Sequence, residues 1–177
     1  MDSKYYDNVY HKSLEYKKLP KDSIYLPVWK VLLSWLTKEE KVHEMGCGSG
    51  QLAKYLIDNG INYIDGCDFS PKAVELANDM VGEEKFFVAD VYDRFFPKET
   101  IIATEVLEHL LSDTLVVSRL QEGTRFIFSV PDFMVESHFR CFKTEQDIRK
   151  RYKVNIRRIK KIKITRNKHI FLIDSVI

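Results

Sequence analysis

The sequence is poor in cysteine and glycine and has no long apolar run. Its three cysteines, Cys47, Cys67 and Cys141, are spaced unlike a disulfide framework or a zinc site, so we expect reduced thiols. No stretch approaches the roughly 20 apolar residues of a membrane helix. The first residues, MDSKYYDNVYHKSLEY, lack the apolar core of a secretory signal. We therefore expect a cytoplasmic location and no membrane partner.

Charge is distributed unevenly along the 177 residues, a length that fits one domain. Residues 1–139 carry 15 Lys and Arg against 23 Asp and Glu, whereas residues 140–168 carry 13 against 2. The net charge of +2 therefore conceals a basic segment. Clustered Lys and Arg suit the phosphate backbone of RNA, but the interspersed Ile residues also fit an edge strand, which lysine protects against sheet-to-sheet pairing. We favour the edge strand.

Strand-like and helix-like segments alternate along the chain. Helices are predicted over about residues 27–37 and 51–58, over SPKAVELANDM with Ser70 as its cap, over EHLLSDTLVVSRL, and from Thr144, whose hydroxyl caps Asp147. Strands are predicted at KVHEM, INYIDGCDF, KFFVAD, TIIATEV and TRFIFSV, followed by a hairpin of VNIRRIKKIKI and KHIFLIDSVI. This alternation predicts an α/β fold: a doubly wound, mostly parallel seven-stranded sheet with an antiparallel C-terminal hairpin strand.

Three glycines fall within five positions of VHEMGCGSGQLAKYL, between the first predicted strand and its helix. At the carboxyl end of a parallel strand, glycine lets the backbone approach a ligand and adopt positive φ. A dinucleotide fingerprint needs glycine at position 51, where Gln51 stands, and a phosphate loop needs a Gly-Lys-Ser/Thr sequence that is also missing. The loop is therefore predicted not to bind phosphate.

The glycine spacing resembles the first motif of class I S-adenosylmethionine-dependent methyltransferases, E/D-x-G-x-G-x-G, matched by Glu44, Gly46, Gly48 and Gly50. Further segments resemble the family in the same order: GCDFSPKAVELA the second motif, FFVADVYD the third, TIIATEVLEHL the fourth and TRFIFSVPD the next strand. The ordered match covers about residues 42–132. The resemblance implies the family's Rossmann-like fold, methyl transfer as the activity, and S-adenosylmethionine as the cofactor.

The resemblance also implies a cofactor site. Asp68, about 20 residues past the loop, would accept hydrogen bonds from the ribose hydroxyls. Asp90 would accept from the adenine amino group, with the Val91 amide on a ring nitrogen and Phe69 on the adenine face. Glu44 would orient the loop or contact the amino acid end. The predicted cofactor-binding set is Glu44, Gly46, Cys47, Gly48, Gly50, Asp68, Phe69, Asp90 and Val91.

Candidate catalytic groups follow the fourth predicted strand, in EVLEHL. His109, with an ordinary pKa of about 6.5, is the predicted general base, and Glu105 is the second catalytic candidate. The segment also resembles the E-x-x-E-H of two metal-binding subsets, small RNA 3′-terminal 2′-O-methyltransferases and ubiquinone-pathway O-methyltransferases. Because LEH also occurs in metal-free members, we predict no metal. Candidate ligands, implied by this resemblance, are Glu105, Glu108, His109 and His138.

The resemblance, together with position along the chain, implies the acceptor side. Residues 1–40 are interpreted as an N-terminal lid or helical cap, 41–132 as the cofactor-binding core and 133–177 as the substrate-side segment, together one domain. Tyr25, His138 and Phe139 are the predicted acceptor contacts. The short chain favours a small-molecule acceptor methylated on oxygen or nitrogen. The alternatives are an RNA 2′-O-type methyltransferase that uses the Glu/Glu/His site and the basic segment, and a non-catalytic cofactor-binding partner protein.

Overall fold

A computed structural model describes residues 3–177, so residues 1 and 2 of the predicted lid lie outside the described residues. The strands in this range are β1 (Lys41–Met45), β2 (Asn62–Asp68), β3 (Phe86–Val88), β4 (Thr100–Ala103), β5 (Arg125–Pro131), β6 (Asn155–Thr165) and β7 (Lys168–Val176). They form one sheet of seven strands in the order β3-β2-β1-β4-β5-β7-β6. β1 to β5 are parallel, and β7 runs antiparallel to both β5 and β6. The predicted fold class is confirmed.

Helices cover both faces of this sheet. Within residues 3–177 they are α1 (Ser3–Lys12), α2 (Leu26–Leu33), α3 (Gln51–Asp58), α4 (Pro71–Val81), α5 (Asp113–Ser118) and α6 (Glu145–Arg151), with 3₁₀ turns at Leu14–Lys17, Pro20–Asp22 and Leu107–His109. Alternate strand residues such as Ile101 and Ile102 enter opposite cores. Helices α2, α3 and α4 pack on one face and α5 and α6 on the other. Each of these helices is too short or too polar to cross a bilayer.

Two predicted helix starts are confirmed. The Ser70 hydroxyl accepts a hydrogen bond from the Ala73 amide at 3.1 Å, and Pro71 occupies the first position of α4. Thr144 and Asp147 form a reciprocal capping box at the start of α6. Both signals lie within a few residues of sequence and need no tertiary contact.

Two predicted helices are shorter than expected. Helix α2 ends at Leu33 rather than Thr37, because the amides of Trp35 and Leu36 bond three residues back and tighten the chain into a 3₁₀ turn. The predicted helix over residues 108–120 is broken before α5. Arg140 donates hydrogen bonds to the carbonyls of Leu107, Leu110 and Leu111, which therefore need no helical partner.

Candidate active site

A cavity of about 640 Å³ opens at the carboxyl ends of β1, β2 and β4, where ligands bind in open α/β sheets. Two predicted residues, Gly50 and Glu108, stand behind its wall rather than on it. The predicted site residues that line it are Tyr25, Glu44, Gly46, Cys47, Gly48, Asp68, Phe69, Asp90, Val91, Glu105, His109, His138 and Phe139. The fold thus brings the predicted cofactor, catalytic and acceptor residues to one cavity.

The three loop glycines have different neighbours, although all have positive φ, between 52° and 75°. A Cβ on Gly46 would lie 2.5 Å from a Val106 methyl group, and one on Gly50 would lie 2.8 Å from the Ala77 Cα. The lack of a side chain at these two glycines therefore leaves space for neighbouring protein atoms. A Cβ on Gly48 would meet only the Tyr10 side chain, 3.1 Å from its hydroxyl, at the cavity wall. The ligand-facing role predicted for the whole loop is best met by Gly48.

Asp68 and Glu44 are buried carboxyl groups with hydrogen bonds on the cofactor side of the cavity. Asp68 accepts from the amides of Gly48 at 3.1 Å and Ser70 at 2.9 Å. Burial raises its pKa to about 6, an effect that these amides oppose. Glu44 accepts from the Tyr63 hydroxyl at 2.6 Å, and burial raises its pKa to about 8. At neutral pH, Glu44 is therefore mostly protonated, and a nearby cation would favour its ionisation.

The remaining cofactor candidates form the rim and one wall of this half. Asp90 is exposed and accepts from the Tyr92 amide at 2.9 Å. Val91 is buried beside it, and the Phe69 ring packs edge-on against Tyr6, 5.3 Å between centroids. Burial raises the pKa of the Cys47 thiol well above its usual value, so this residue packs as a neutral side chain.

Glu105 is held in a strained conformation just after β4. Its φ of 56° lies in the left-handed region, which non-glycine residues seldom adopt. Its amide donates to the Ser129 hydroxyl at 2.9 Å, and that hydroxyl donates back to Oε1 at 2.8 Å. Tyr25 also hydrogen-bonds to this carboxylate. Burial raises the pKa of Glu105 to about 7, within the range that suits a general base at neutral pH.

His109 and His138 are placed with one free ring nitrogen each. The Nδ1 atom of His109 lies 3.0 Å from the Ser137 carbonyl, and that of His138 lies 3.2 Å from the Phe133 carbonyl. A carbonyl only accepts hydrogen bonds, so both rings carry the proton on Nδ1 and a lone pair on Nε2. Burial, and then the nearby His138, lower the pKa of His109 to about 4. His109 is therefore a neutral and weakly basic group.

The Glu108 carboxyl lies near His109 and His138 and has no hydrogen-bond partner among the described residues. It is 0% exposed, and neither of its carboxyl oxygens has a hydrogen-bond partner among residues 3–177. One ligand atom from each of Glu108, His109 and His138 falls within 4.8 Å of the others. Burial raises the pKa of Glu108 well above its usual value, and the Glu105 charge adds to this. Three of the four candidate metal ligands thus form a group, while Glu105 bonds elsewhere.

Helix α1 forms part of the cavity wall. Asp7 accepts from the Ser70 hydroxyl at 2.5 Å and from the Lys72 amide at 3.2 Å, which ties α1 to the start of α4. The Tyr6 hydroxyl lies 2.9 Å from His109 Nδ1. The side-chain amide of Gln51 donates to two carbonyls of the segment that follows α1. The predicted lid therefore contacts both the cofactor wall and the catalytic segment.

Several cavity residues had not been singled out from the sequence. Tyr6, Tyr10 and Tyr16 line the cavity from the N-terminal segment and belong to no motif, and Ser129, which is buried and bonds to Glu105, sits in the middle of an apolar strand. The Phe133 ring and the Lys168 side chain also line the cavity, because the β6–β7 turn reaches its mouth. The signal for Lys168 is the antiparallel final hairpin, which brings the start of β7 to the carboxyl end of β5.

Comparison with known proteins agrees with this geometry. Residues 43–125 match a family model described as a methyltransferase domain. With the strand order, this match bears out the predicted resemblance to class I S-adenosylmethionine-dependent methyltransferases. S-adenosylmethionine, the predicted cofactor, is the one that this family uses. A comparison with curated protein sequences found no significant match.

Three solved structures share the fold. A chain of the complex between the Haloferax volcanii Trm112 methyltransferase activator and a putative methyltransferase gives a TM-score of 0.77 at 15% identity, covering 97% of this chain and 96% of that one. The PH0226 protein from Pyrococcus horikoshii OT3 gives 0.73 at 17% identity, covering 96% and 98%. Magnesium protoporphyrin IX methyltransferase from Synechocystis PCC 6803, with bound S-adenosylhomocysteine, gives 0.69 at 21% identity, covering 86% and 83%.

Proposed function

We propose that the protein is a cytoplasmic S-adenosylmethionine-dependent methyltransferase that acts on an oxygen or nitrogen of a small-molecule acceptor. The observation that carries this proposal is the single cavity in which Asp68 and Gly48 face the ionisable groups Glu105 and His109. A volume of about 640 Å³ lies within the usual range of small-molecule sites, roughly 300–1,000 Å³. Because α1 adds Tyr6, Val9 and Tyr10 to its wall, the cavity favours a small acceptor over a long polymer.

The cofactor half fits a nucleoside with a cationic amino acid tail. Asp68 is held by two backbone amides and retains lone pairs for ribose hydroxyls. Glu44, protonated in a buried site, becomes a favourable anion beside an ammonium group. Phe69 and the buried Val91 offer apolar contact to an adenine ring. S-adenosylmethionine, when bound, supplies a methyl group already activated by its sulfonium, so the protein mainly positions the acceptor and excludes water.

Glu105 is the better-suited general base of the two catalytic candidates. Its pKa of about 7 lets the ionised carboxylate accept a proton from an acceptor hydroxyl or amine at neutral pH. The neutral Nε2 of His109, with a pKa of about 4, is more suited to accepting a hydrogen bond from the acceptor. Ser129 and Tyr25 orient the Glu105 carboxylate. The proposed assignment therefore makes Glu105 the base and His109 an orienting group.

The test is to measure S-adenosylhomocysteine binding by calorimetry and then methyl transfer to a panel of hydroxyl and amine acceptors. Glu105→Gln keeps the shape of the side chain and should lower transfer at least about 100-fold without weakening S-adenosylhomocysteine binding. The native rate should rise with pH through about 7, as the carboxyl ionises. Tyr25→Phe, which removes a bond that stabilises the carboxylate, should move that midpoint upward.

Other outcomes would change the assignment. A Glu105→Gln variant as active as the native protein would rule out this base. Strong S-adenosylhomocysteine binding with no product from any acceptor class would favour the non-catalytic partner protein. RNA methylation, with RNA binding that weakens steeply between about 50 and about 200 mM salt, would favour the RNA alternative.

A metal-assisted reaction is a second candidate, favoured by the unpartnered Glu108 carboxyl. A buried carboxylate without a hydrogen bond is costly, and a divalent ion held by Glu108, His109 and His138 would relieve that cost. The carbonyl bonds to both Nδ1 atoms are of the kind that orient metal-binding histidines. The residues therefore fit an ion, which would polarise an acceptor oxygen and lower the pKa of its hydroxyl.

Thermal unfolding separates this candidate from the metal-free one. Zn²⁺, Mn²⁺ or Mg²⁺ should raise the melting temperature of the native protein, and Glu108→Gln should abolish that rise. Glu136→Gln, at an exposed position outside the cavity, is the matched control. An equal rise in the Glu108→Gln variant, or no rise with any of the three ions, would rule out the site.

A further inference from the structure

Four of the 13 Lys and Arg residues in the basic segment, residues 140–168, form ion pairs with three acidic residues of the fold. Asp113 accepts ion pairs from Arg140 and Arg151. Asp174 pairs with Arg158, and also with Arg125 of β5. Asp132 pairs with Lys161. Part of the charge that suggested RNA binding therefore holds the sheet and its flanking segments together.

Lys168, which lines the cavity, differs from these ion-paired residues. It is the first residue of β7, paired with Thr165 across the hairpin turn, and it is the one Lys or Arg among the described residues that line the cavity. Its ammonium group lies 4.6 Å from the centroid of the Phe133 ring. Within residues 3–177 no carboxylate forms an ion pair with it, and the carboxylate of Asp132 pairs with Lys161 and His169 instead.

The surroundings of Lys168 are mostly apolar. Phe133 contacts Lys168, and Val135, Phe139 and Leu111 also line the cavity, with Leu111 69% exposed. Burial, and to a smaller degree Lys168 itself, lower the pKa of His138, so this histidine remains neutral. An acceptor at this end of the cavity therefore meets one fixed cation beside exposed apolar side chains.

We propose that Lys168 forms the anion-binding end of the acceptor site, and that the acceptor is an amphipathic acid, with a carboxylate or phosphate group on an apolar body. This inference rests on the proposed function and adds the class of its substrate. The anionic group pairs with the Lys168 ammonium, while the apolar body covers Phe133 and Phe139. The reacting hydroxyl or amine then points inward to Glu105.

The experiment measures binding rather than turnover, in the presence of saturating S-adenosylhomocysteine. The probes are 4-hydroxybenzoate, its uncharged amide and phenyl phosphate, compared by ligand-detected NMR. The native protein should bind at least one of the two acids about tenfold more tightly than the amide, as one charge-assisted contact predicts. The benzoate and phosphate arms distinguish a carboxylate acceptor from a phosphorylated one.

Two variants identify the residue responsible. Lys168→Gln should remove the preference for the acid, whereas Lys163→Gln, on the exposed part of β6 outside the cavity, should retain it. Equal binding of acid and amide, binding of neither acid up to its solubility limit, or equal losses in both variants would overturn the proposal. Preferential binding of an RNA oligonucleotide that depends on Lys163 would also overturn it. Failure of S-adenosylhomocysteine to bind is scored separately and counts against the proposed function.

Discussion

The two halves of the cavity differ in how fully the protein satisfies its own polar groups. On the cofactor side, Asp68 and Glu44 are buried, and both have hydrogen-bond partners. On the acceptor side, Glu108 is buried without a partner among the described residues, and Phe139 leaves 49% of its surface exposed. In the proposed assignment, the chain itself preorganises the cofactor half, and a bound acceptor or metal ion completes the acceptor half.

The largest expected effect comes from breaking the cofactor half at Asp68. Asp68→Ala should weaken S-adenosylhomocysteine binding at least about 100-fold, since it removes two charge-assisted hydrogen bonds worth about 1.5–3 kcal/mol each. Asp68→Asn should lose less, because it keeps one acceptor oxygen. Calorimetry measures both. Asp79→Asn, on the exposed side of α4, is the control, and an unchanged affinity in Asp68→Ala would contradict the assignment.

The glycine loop offers a contrast between packing and ligand approach. Gly50→Ala places a Cβ against the α4 backbone at positive φ, and should lower the free energy of unfolding by about 2–5 kcal/mol. In Gly48→Ala the new Cβ meets only the Tyr10 side chain. This variant should lower the free energy of unfolding by about 1–2 kcal/mol and should also weaken S-adenosylhomocysteine binding. Urea unfolding and calorimetry separate the two effects. Equal stability of both variants would contradict this division.

The pH dependence of cofactor binding tests the raised pKa values on the cofactor side. The pKa values of Glu44 and Asp68 are about 8 and about 6, and the ligand favours their ionised forms, so binding releases protons. Affinity for S-adenosylhomocysteine should fall as pH falls from about 8 to about 5, by up to about tenfold per unit for each group. Glu44→Gln should remove the part of this dependence near pH 8. An affinity that does not change with pH would contradict the raised pKa values of Glu44 and Asp68.

In the cofactor-free protein, Asp68 and Glu44 make the folding stability depend on pH in the opposite direction. Carboxyl groups with raised pKa values in the folded state bind more protons there than in the unfolded chain. Their contribution to stability is present in full below about pH 4 and is lost as pH rises from there to about 6 for Asp68 and to about 8 for Glu44. The melting temperature of the cofactor-free protein should therefore decrease over this range, and Glu44→Gln should reduce the decrease.

The smallest effect concerns the attachment of the lid. Asp7→Asn weakens the link between α1 and α4, and should reduce S-adenosylhomocysteine affinity by about twofold to tenfold, as expected for one hydrogen bond of roughly 0.5–1.5 kcal/mol. Amide hydrogen exchange in residues 3–12 should become faster. Asp79→Asn again serves as the control. An unchanged exchange rate would show that Asp7 does not hold the lid.

Sequence reasoning succeeded where the signals are local. The loop glycines, Asp68 and the Ser70 cap lie at the ends of consecutive strands, and parallel strands bring such ends to one edge of the sheet. The capping box at Thr144 is likewise contained in four residues. The fold class, and the meeting of these residues at one cavity, were therefore predictable.

Contacts between distant parts of the chain were not predictable in this way. The clash of a Cβ on Gly50 with Ala77 depends on how α3 packs against α4. The break before α5 depends on Arg140, about 30 residues further along the chain. The position of Lys168 depends on the direction of β7, and the basic segment, expected at the far edge of the sheet, returns to the cavity through its turn.

The antiparallel direction of β7 has an evolutionary consequence. A hairpin tip, unlike the end of a strand that continues into a helix, can change in length and charge without altering the register of the sheet behind it. Because Thr165 and Lys168 of this turn line the cavity, the proposed acceptor site predicts that mutations at Arg166, Asn167 and Lys168 change the preferred acceptor in related proteins. Recognition of the methyl donor, encoded on the other side of the sheet, would be inherited intact.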